Sequence, residues 1–158
     1  MLIVDDERIN RELLKAILLR HGYEPILAES GPDALALLEL ELPSLVLLDV
    51  NMEPMNGFDV LARIRERHLD TELPVIMVTA RTESRDVVEA LELGANDYVT
   101  KPIDFAVTLA RVRAQLARAH SGRIEWWQAH LPRRLRPQRA PSRDRDERGR
   151  QYRAVQGG

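Results

Sequence analysis

An aspartate that directly follows an apolar run is the first candidate for chemistry in this sequence. Residues 44–48 are mostly apolar and partly β-branched, and they lead without polar alternation into Asp49. Such a run is typical of a strand that is buried on both faces, as in a parallel sheet. Because the functional groups of open α/β sheets gather at the carboxyl ends of the strands, Asp49 is expected at the functional edge.

Polar side chains follow three further predicted strands in the same way. In chain order they are Asp5, Asp6, Thr79 and Lys101. If the strands are parallel, three carboxylates, a hydroxyl and an ammonium group share one edge of the sheet. Close carboxylates raise one another's pKa unless a cation lies among them, and a few oxygen ligands suit Mg²⁺. Since aspartate forms covalent intermediates, a carboxylate in such surroundings is a candidate phosphoryl acceptor.

Each residue taken alone also has a structural interpretation. An aspartate after a strand is more often a turn or helix cap than a nucleophile. Asp5 and Asp6 before a helix could favour the helix dipole, and Thr79 could cap the following turn. A structural interpretation of all of them requires independent coincidences at four strand ends, so the sequence favours a shared site.

The alternation of segments predicts the fold class. Strands are predicted at 1–4, 23–29, 44–49, 74–78 and 97–100, and helices at about 7–21, 31–41, 58–68, 82–93 and 105–119. Five strands that alternate with five helices imply right-handed crossovers and a doubly wound α/β sheet. The apolar side of the first helix is expected to comprise Ile9, Leu13, Ile17 and Leu18, and that of the fifth Phe105, Leu109, Val112 and Leu116.

The residues at the strand ends carry a resemblance to a known family, the receiver domain of two-component response regulators. Five separated pieces match it in the family's order and at its spacing: Asp5-Asp6, Asp49, Thr79, Tyr98 and Lys101-Pro102. Each piece is weak alone, but their agreement is specific and covers roughly residues 1–120. The resemblance implies the flavodoxin-like receiver fold, whose five-stranded parallel sheet has the strand order 2-1-3-4-5.

The resemblance also implies a role for each site residue. Asp49 would accept a phosphoryl group from a phosphohistidine of a sensor histidine kinase or phosphotransfer protein. Mg²⁺ would be bound by the side chains of Asp6 and Asp49 and by the backbone carbonyl of Asn51. Asp5 would act mainly through a bound water. Lys101 would pair with Asp49 or with the phosphoryl group as a point charge.

A second conformational state is implied as well. Thr79 would move to hydrogen-bond the phosphoryl oxygen and Tyr98 would swing inward behind it, so that the surface of the fourth helix, fifth strand and fifth helix reports the change. A homodimer through this surface is among the states that the resemblance allows. The Lys101–Pro102 bond is expected to be cis. Slow self-dephosphorylation would be the only catalysis, so the chain is not expected to be an enzyme.

One departure from the family concerns the loop after Asp49. Receivers usually have proline at the fourth position after the acceptor, whereas here Glu53 is fourth and Pro54 fifth, and Gly57 keeps its place at the eighth. Glu53 adds a negative charge near the metal, which favours an alternative function, a receiver-like interaction module that is never phosphorylated. A second alternative, a phosphatase with an aspartyl-phosphate, would need an acid two residues after the nucleophile, where this chain has Asn51.

Length and composition restrict the class of protein further. The chain has 158 residues, enough for one ordinary domain, and no cysteine, which excludes disulfides and thiolate metal sites. The start of the sequence does not resemble a signal peptide, and no apolar run approaches membrane-spanning length. We therefore expect a cytoplasmic protein without a membrane partner.

Charge is distributed unevenly along the chain. Residues 121–158 contain ten arginines and four acidic residues, so this segment carries a formal charge of +6 and residues 1–120 carry −8. Its few apolar residues predict a basic, disordered tail after a receiver domain of residues 1–120, although Trp126, Trp127, Leu131 and Leu135 could extend the fifth helix or dock on it. The segment has no recognition fold for nucleic acid and no room for an output domain. A natural tail and a truncated or frame-shifted end both fit this composition.

Overall fold

Strands and helices alternate along residues 1–80 and 84–130, which are the residues that the computed structural model describes. The strands are β1 (Leu2–Val4), β2 (Ile26–Ala28), β3 (Val46–Asp49), β4 (Val75–Thr79) and β5 (Asp97–Thr100). The helices are α1 (Arg8–Arg20), α2 (Gly31–Leu40), α3 (Gly57–Arg65), α4 (Ser84–Glu92) and α5 (Phe105–His130). Each element lies where the sequence pattern predicted one, although several ends differ. Within these residues, no helix combines the length and the apolar character needed to cross a bilayer.

The five strands form one parallel sheet in the order β2-β1-β3-β4-β5, as expected. Val4 pairs with Leu48, and Thr79 pairs with Thr100. This register brings the next residues of β1, β3 and β5 to the same edge of the sheet. The central strands are buried on both faces, which explains their continuous apolar sequence.

Helices cover both faces of the sheet, because successive side chains of a strand point to opposite sides. The side covered by α2 and α3 contains Leu2, Val4, Leu48, Met77, Ala34, Val60, Leu61 and Ile64. The side covered by α1 and α5 contains Ile3, Leu47, Ile76, Val99, Leu14, Leu18, Leu109 and Val112. The doubly wound architecture therefore has a separate apolar layer on each face.

The apolar side predicted for α1 is partly wrong. Ile9 is 73% exposed and Leu13 is 47% exposed, whereas Arg11, Leu14 and Leu18 are the buried residues of the helix. The three buried positions follow helical spacing, so the core-facing stripe contains an arginine. A hydropathy pattern excludes that residue and therefore selects a neighbouring stripe.

The end predicted for α5 near Ala119 is wrong, and the alternative that the segment with Trp126 and Trp127 extends the helix is correct as far as His130. Residues 120–130 contain no proline and one glycine, Gly122, and a single glycine costs only about 1 kcal/mol in a helix. The first part of the predicted tail is thus helical, and residues 131–158 lie outside the described residues. The apolar stripe of α5 is mostly as predicted, except that Phe105 is partly exposed.

In the sequence, glycines follow the first and fourth helices, and residues that can cap a helix precede the second and fourth helices. Gly22 and Gly94 follow α1 and α4 with φ of 81° and 92°, a conformation that favours glycine. Ser30 caps α2 by accepting a hydrogen bond from the Asp33 N–H. The cap proposed for the fourth helix at residues 82–84 lies mostly outside the described residues.

Gly57 at the start of α3 packs directly against the strand end that carries Asp49. A Cβ at this position would lie 2.2 Å from the Asp49 carbonyl oxygen and 2.8 Å from the Val50 Cα. These are backbone atoms, so a side chain cannot be accommodated by a rotamer change. We therefore expect Gly57→Ala to lower the free energy of unfolding by about 2–3 kcal/mol, measured by urea denaturation.

The matched control for Gly57→Ala is Gly122→Ala in α5. A Cβ at Gly122 would have no neighbouring atom within 4 Å, so this substitution should be neutral or stabilising by up to about 1 kcal/mol. Equal stabilities of the two variants would contradict the packing explanation.

Candidate functional site

Four strand ends place their polar residues at one edge of the sheet. Asp5 directly follows β1, and Asp49 is the last residue of β3. Both are almost fully buried, with exposures of 0% for Asp5 and 1% for Asp49. Thr79, the last residue of β4, is 4% exposed. Asp6 is exposed beside them, and the half-buried Lys101 follows β5. The parallel direction of the strands is what collects these residues, since each is the carboxyl end of its own strand.

Lys101 contacts both buried carboxylates. Its Nζ lies 3.2 Å from Asp49 Oδ1 and 3.3 Å from Asp5 Oδ2. The predicted pairing of Lys101 with Asp49 is present, and the contact with Asp5 adds a second ion pair. The Lys101 N–H donates to the Thr79 carbonyl over 2.7 Å, and the Lys101–Pro102 bond is cis, as expected. The Glu53–Pro54 bond is cis as well, which the sequence did not predict.

The electrostatics of Asp49 and Lys101 follow from their burial and proximity. Burial, together with the negative charge of Asp5, raises the pKa of Asp49 to about 6, although Lys101 and the Asn51 N–H favour its charged form. Burial lowers the pKa of Lys101, but Asp49 and Asp5 raise it by more, so that the pKa lies above its ordinary value. At neutral pH the site thus contains a buried lysinium beside carboxylates that repel each other.

The carboxylates of Asp5, Asp6 and Asp49 fit a divalent cation. One oxygen from each lies within 4.8 Å of the others. The Asp5 Oδ1 accepts a hydrogen bond from the Glu7 N–H, whereas its buried Oδ2 is paired with the Lys101 ammonium group at 3.3 Å. Three carboxylates with one neighbouring ammonium group among the described residues match the oxygen ligand set of a hard cation such as Mg²⁺.

A cavity of about 420 Å³ opens beside this acidic group. It is lined by Asp6, Asn51 and Glu53, and also by Val50, Met52, Asn56 and Phe58. The backbone nitrogen of Asn51 lies 3.4 Å from Asp49 Oδ1, so the loop that lines the cavity is in contact with the Asp49 carboxylate. Glu53, the departure noted in the sequence, therefore lies on the wall of the cavity that adjoins the acidic group.

Tyr98 lies in β5 and is half-buried against the apolar layer of α2 and α3. The guanidinium of Arg111 lies over its ring at 5.6 Å from the centroid, and Arg111 Nη1 donates to Asp97 Oδ1 over 2.7 Å. Tyr98 is thus held between the core and a cation from α5. Its role as a switch stays a prediction.

Two arginines, one beside the site and one far from it, make contacts that the sequence did not predict. Arg11 is buried beneath the loop that carries Asp5 and Asp6, and Arg65 connects several segments at the opposite edge of the sheet. The only sequence signal for Arg11 was its spacing, three and seven residues before Leu14 and Leu18. For Arg65 the signal was of the same kind, namely its position four residues after Leu61 in the third helix.

Comparison with known proteins decides the family. A family model of the response regulator receiver domain matches residues 1–113. The chain belongs to this family. The transcriptional regulatory protein CpxR of Escherichia coli K12 is 45% identical over 120 residues, which are 76% of this chain and 50% of CpxR. The response regulator PleD of Caulobacter vibrioides NA1000 is 41% identical over 114 residues, which are 72% of this chain and 25% of PleD.

Solved receiver structures agree with this assignment. The CheY-like receiver domain protein of Methanospirillum hungatei JF-1 has a TM-score of 0.71 and 30% identity, over 77% of this chain and 95% of that protein. The receiver domain of NtrX from Brucella abortus has a TM-score of 0.69 and 31% identity, over 73% of this chain and 97% of that protein. The predicted receiver fold is confirmed, and the chain spans half or less of the length of CpxR and PleD.

Proposed function

We propose that this receiver domain accepts a phosphoryl group on Asp49 from the phosphohistidine of a sensor histidine kinase or phosphotransfer protein. The observation that carries the proposal is the convergence of two buried carboxylates on one lysine, whose ammonium group lies 3.2 Å from Asp49 Oδ1 and 3.3 Å from Asp5 Oδ2. A structural ion pair would need only one of these carboxylates. The additional buried negative charge is explained if the site binds a cation and an anionic phosphoryl group together.

The transfer requires little covalent help beyond a positioned carboxylate. An Asp49 oxygen forms the new bond to phosphorus while the bond from phosphorus to the histidine nitrogen breaks, and the electron pair stays on that imidazole nitrogen. Asp49 must be ionised to attack, and a pKa of about 6 leaves it mostly ionised at neutral pH. Lys101 lies within ion-pair distance of Asp49 and compensates charge at the acceptor.

A magnesium ion would be held by Asp6, Asp49 and the Asn51 carbonyl, with Asp5 acting through a water. When bound, it neutralises the charge that spreads over the equatorial phosphoryl oxygens. Slow hydrolysis of the aspartyl-phosphate is the only catalysis that we assign, so we do not propose an enzyme. The cytoplasmic location expected from the sequence stays a prediction.

The proposed output is a change of the surface formed by α4, β5 and α5. Thr79 would turn toward the phosphoryl oxygen and Tyr98 would follow it, which would alter the side chains that surround Tyr98. Large apolar residues are exposed on the two helices of this surface, namely Val88, Leu91, Phe105 and Val107. Their exposure supports a contact surface here, and we propose that a second copy of the domain binds to it after phosphorylation.

The specific observation that favours a different function is the position of Glu53. Glu53 lines the cavity that Asp6 and Asn51 also line, and its negative charge there would repel an anionic phosphodonor. A receiver-like interaction module that is never phosphorylated is therefore the second candidate. The phosphatase alternative has no such support, because Asn51 cannot protonate a leaving group.

The proposal is tested by incubating the protein with acetyl phosphate, with and without Mg²⁺, and by mapping the adduct with mass spectrometry. We expect labelling of Asp49 that requires Mg²⁺, together with NMR shifts of the Thr79 and Lys101 amides when beryllofluoride and Mg²⁺ are added. Glu12→Gln, which changes an exposed carboxylate on α1, should be labelled like the wild type. Absence of any adduct with Mg²⁺ would support the interaction module, and turnover of diverse phosphate esters would support the phosphatase.

A further inference from the structure

Arg11 of α1 is a buried arginine whose charged end lies beneath the loop between β1 and α1. The residue is 8% exposed, and its Nη1 donates to two consecutive backbone carbonyls, that of Asp5 over 2.6 Å and that of Asp6 over 3.0 Å. Its Nη2 reaches Glu29 Oε2 at 3.3 Å, but that carboxylate is largely exposed. The main partners of Arg11 are therefore the backbone groups of the two acidic residues and not the surface glutamate.

Two hydrogen bonds from one nitrogen to neighbouring carbonyls restrict the orientation of the peptide groups in this loop. The direction of each carboxylate follows from the backbone that carries it. Asp5 is restricted further, because its Oδ1 accepts the Glu7 N–H over 2.8 Å. With the backbone and one oxygen held, Asp5 Oδ2 faces the Lys101 ammonium group at 3.3 Å, the group that also contacts Asp49. The loop is thus arranged to present this oxygen toward the acidic group.

Two effects of Arg11 on a bound cation can be separated by their sign. If the arginine acted only through its charge, it would repel the cation, and its removal would tighten metal binding. If it acts by orienting the carboxylates, its removal would weaken metal binding. Groups that orient metal ligands typically change the affinity by about tenfold or more when they are removed.

From these contacts we infer that Arg11 is a positioning residue for the divalent-cation site formed by Asp5, Asp6 and Asp49. The inference rests on the proposed function, because it requires that these carboxylates bind a metal. It predicts an effect on metal selectivity as well as affinity. Mg²⁺ demands near-ideal octahedral geometry, whereas Ca²⁺ accepts irregular geometry, so misplaced carboxylates should penalise Mg²⁺ more than Ca²⁺.

The test is a calorimetric titration of the full chain with Mg²⁺ alone and with Ca²⁺ alone. We expect Arg11→Met to raise the Kd for Mg²⁺ by about tenfold and the Kd for Ca²⁺ by clearly less. Arg11→Lys keeps the charge but presents one ammonium in place of the planar fork, so it should lose part of the preference for Mg²⁺. Arg67→Met, which removes an exposed arginine paired with Glu39, should leave both affinities within about twofold of the wild type.

The outcomes distinguish this inference from the proposed function. If the wild type binds Mg²⁺ and Arg11→Met binds it equally well or more tightly, Arg11 does not position the site, and the proposed function is untouched. If the wild type itself binds no Mg²⁺, the cation site is refuted and the inference falls with it. If Arg11→Met does not fold, the ratio of the Mg²⁺ and Ca²⁺ affinities of Arg11→Lys decides, since an unchanged ratio overturns the inference.

Discussion

Asp49→Asn will take up no phosphoryl group from acetyl phosphate and Mg²⁺, a loss of at least about a hundredfold in the rate of labelling. The amide has nearly the same shape as the carboxylate, so it leaves the packing of the strand end intact, but its oxygen lacks the charge that attacks phosphorus. The measurement is the time course of adduct formation by intact-protein mass spectrometry. Labelling of another residue at the wild-type rate would show that Asp49 is not the acceptor.

The same substitution should stabilise the metal-free protein in a manner that depends on pH. The pKa of Asp49 is about 6 in the folded protein and near 4 in the unfolded chain, so ionisation favours the unfolded state between these values. The stabilising contribution of protonated Asp49 is fully present below about pH 4, is lost as the pH rises through 6, and does not change further above that pH. The loss at pH 7.5 amounts to about 2–3 kcal/mol, which Asp49→Asn avoids.

Urea unfolding with a chelator at pH 4.5 and pH 7.5 checks this expectation. Asp49→Asn should exceed the wild type by about 1 kcal/mol at the lower pH and by about 2–3 kcal/mol at the higher pH. Glu12→Gln, at an exposed carboxylate, is the control and should follow the wild type at both values. An Asp49→Asn protein that is less stable than the wild type at pH 7.5 would contradict the electrostatic explanation.

Arg65→Met is expected to have the largest destabilising effect, a decrease of about 3 kcal/mol in the free energy of unfolding. Arg65 Nε donates to the Gly94 carbonyl over 2.8 Å, and its Nη1 donates to the Leu73 carbonyl over 2.9 Å. Its Nη2 donates to Asn96 Oδ1 over 2.9 Å. Methionine can fill the space of the aliphatic stem but leaves these acceptors without their donor, and buried acceptors without donors are costly.

Asn96 extends the effect of Arg65 to the sheet. Its Oδ1 also accepts the Val75 N–H over 2.9 Å, and its Nδ2 donates to the Asp70 carbonyl over 3.0 Å. One guanidinium therefore supports the end of α3, the residue that follows α4 and the starts of β4 and β5, at the edge opposite the acidic group. Burial lowers the pKa of Arg65 against the opposing effect of Asp70, which indicates that the charge is partly removed from water.

Urea unfolding followed by circular dichroism measures the effect of Arg65. Arg65→Lys should be intermediate, because an ammonium cannot reach three separate acceptors in the geometry of the planar fork. Arg67→Met is the control two positions away, where the side chain is exposed and pairs with Glu39, and it should change stability by less than about 0.5 kcal/mol. Equal stabilities of Arg65→Met and Arg67→Met would refute the assigned role.

The sequence by itself determined the alternation of elements and the strand ends that carry the site. A buried parallel strand requires an apolar run, so the point where the run meets Asp5, Asp49 or Lys101 is visible in the sequence. The parallel direction then brings these ends together without any knowledge of side-chain packing. The strand order came from the family resemblance and not from the pattern, because every order of strands satisfies the same local periodicity.

Only the tertiary structure decided which polar groups are buried and what they contact. Arg11 is buried and Arg65 is half-buried because backbone carbonyls accept hydrogen bonds from them, and the Gly94 carbonyl that contacts Arg65 is 29 residues away in the sequence. A hydropathy pattern predicts burial from the polarity of each side chain alone. It therefore predicted that Arg11 is exposed and that Ile9 is buried, and the structure shows the reverse. The length of α5 was left open by the sequence, because the apolar stripe ends before the helix does. A charged side chain can be buried only where other groups bind it by hydrogen bonds or ion pairs. The fold determines which groups lie close enough to do so, and the local sequence does not.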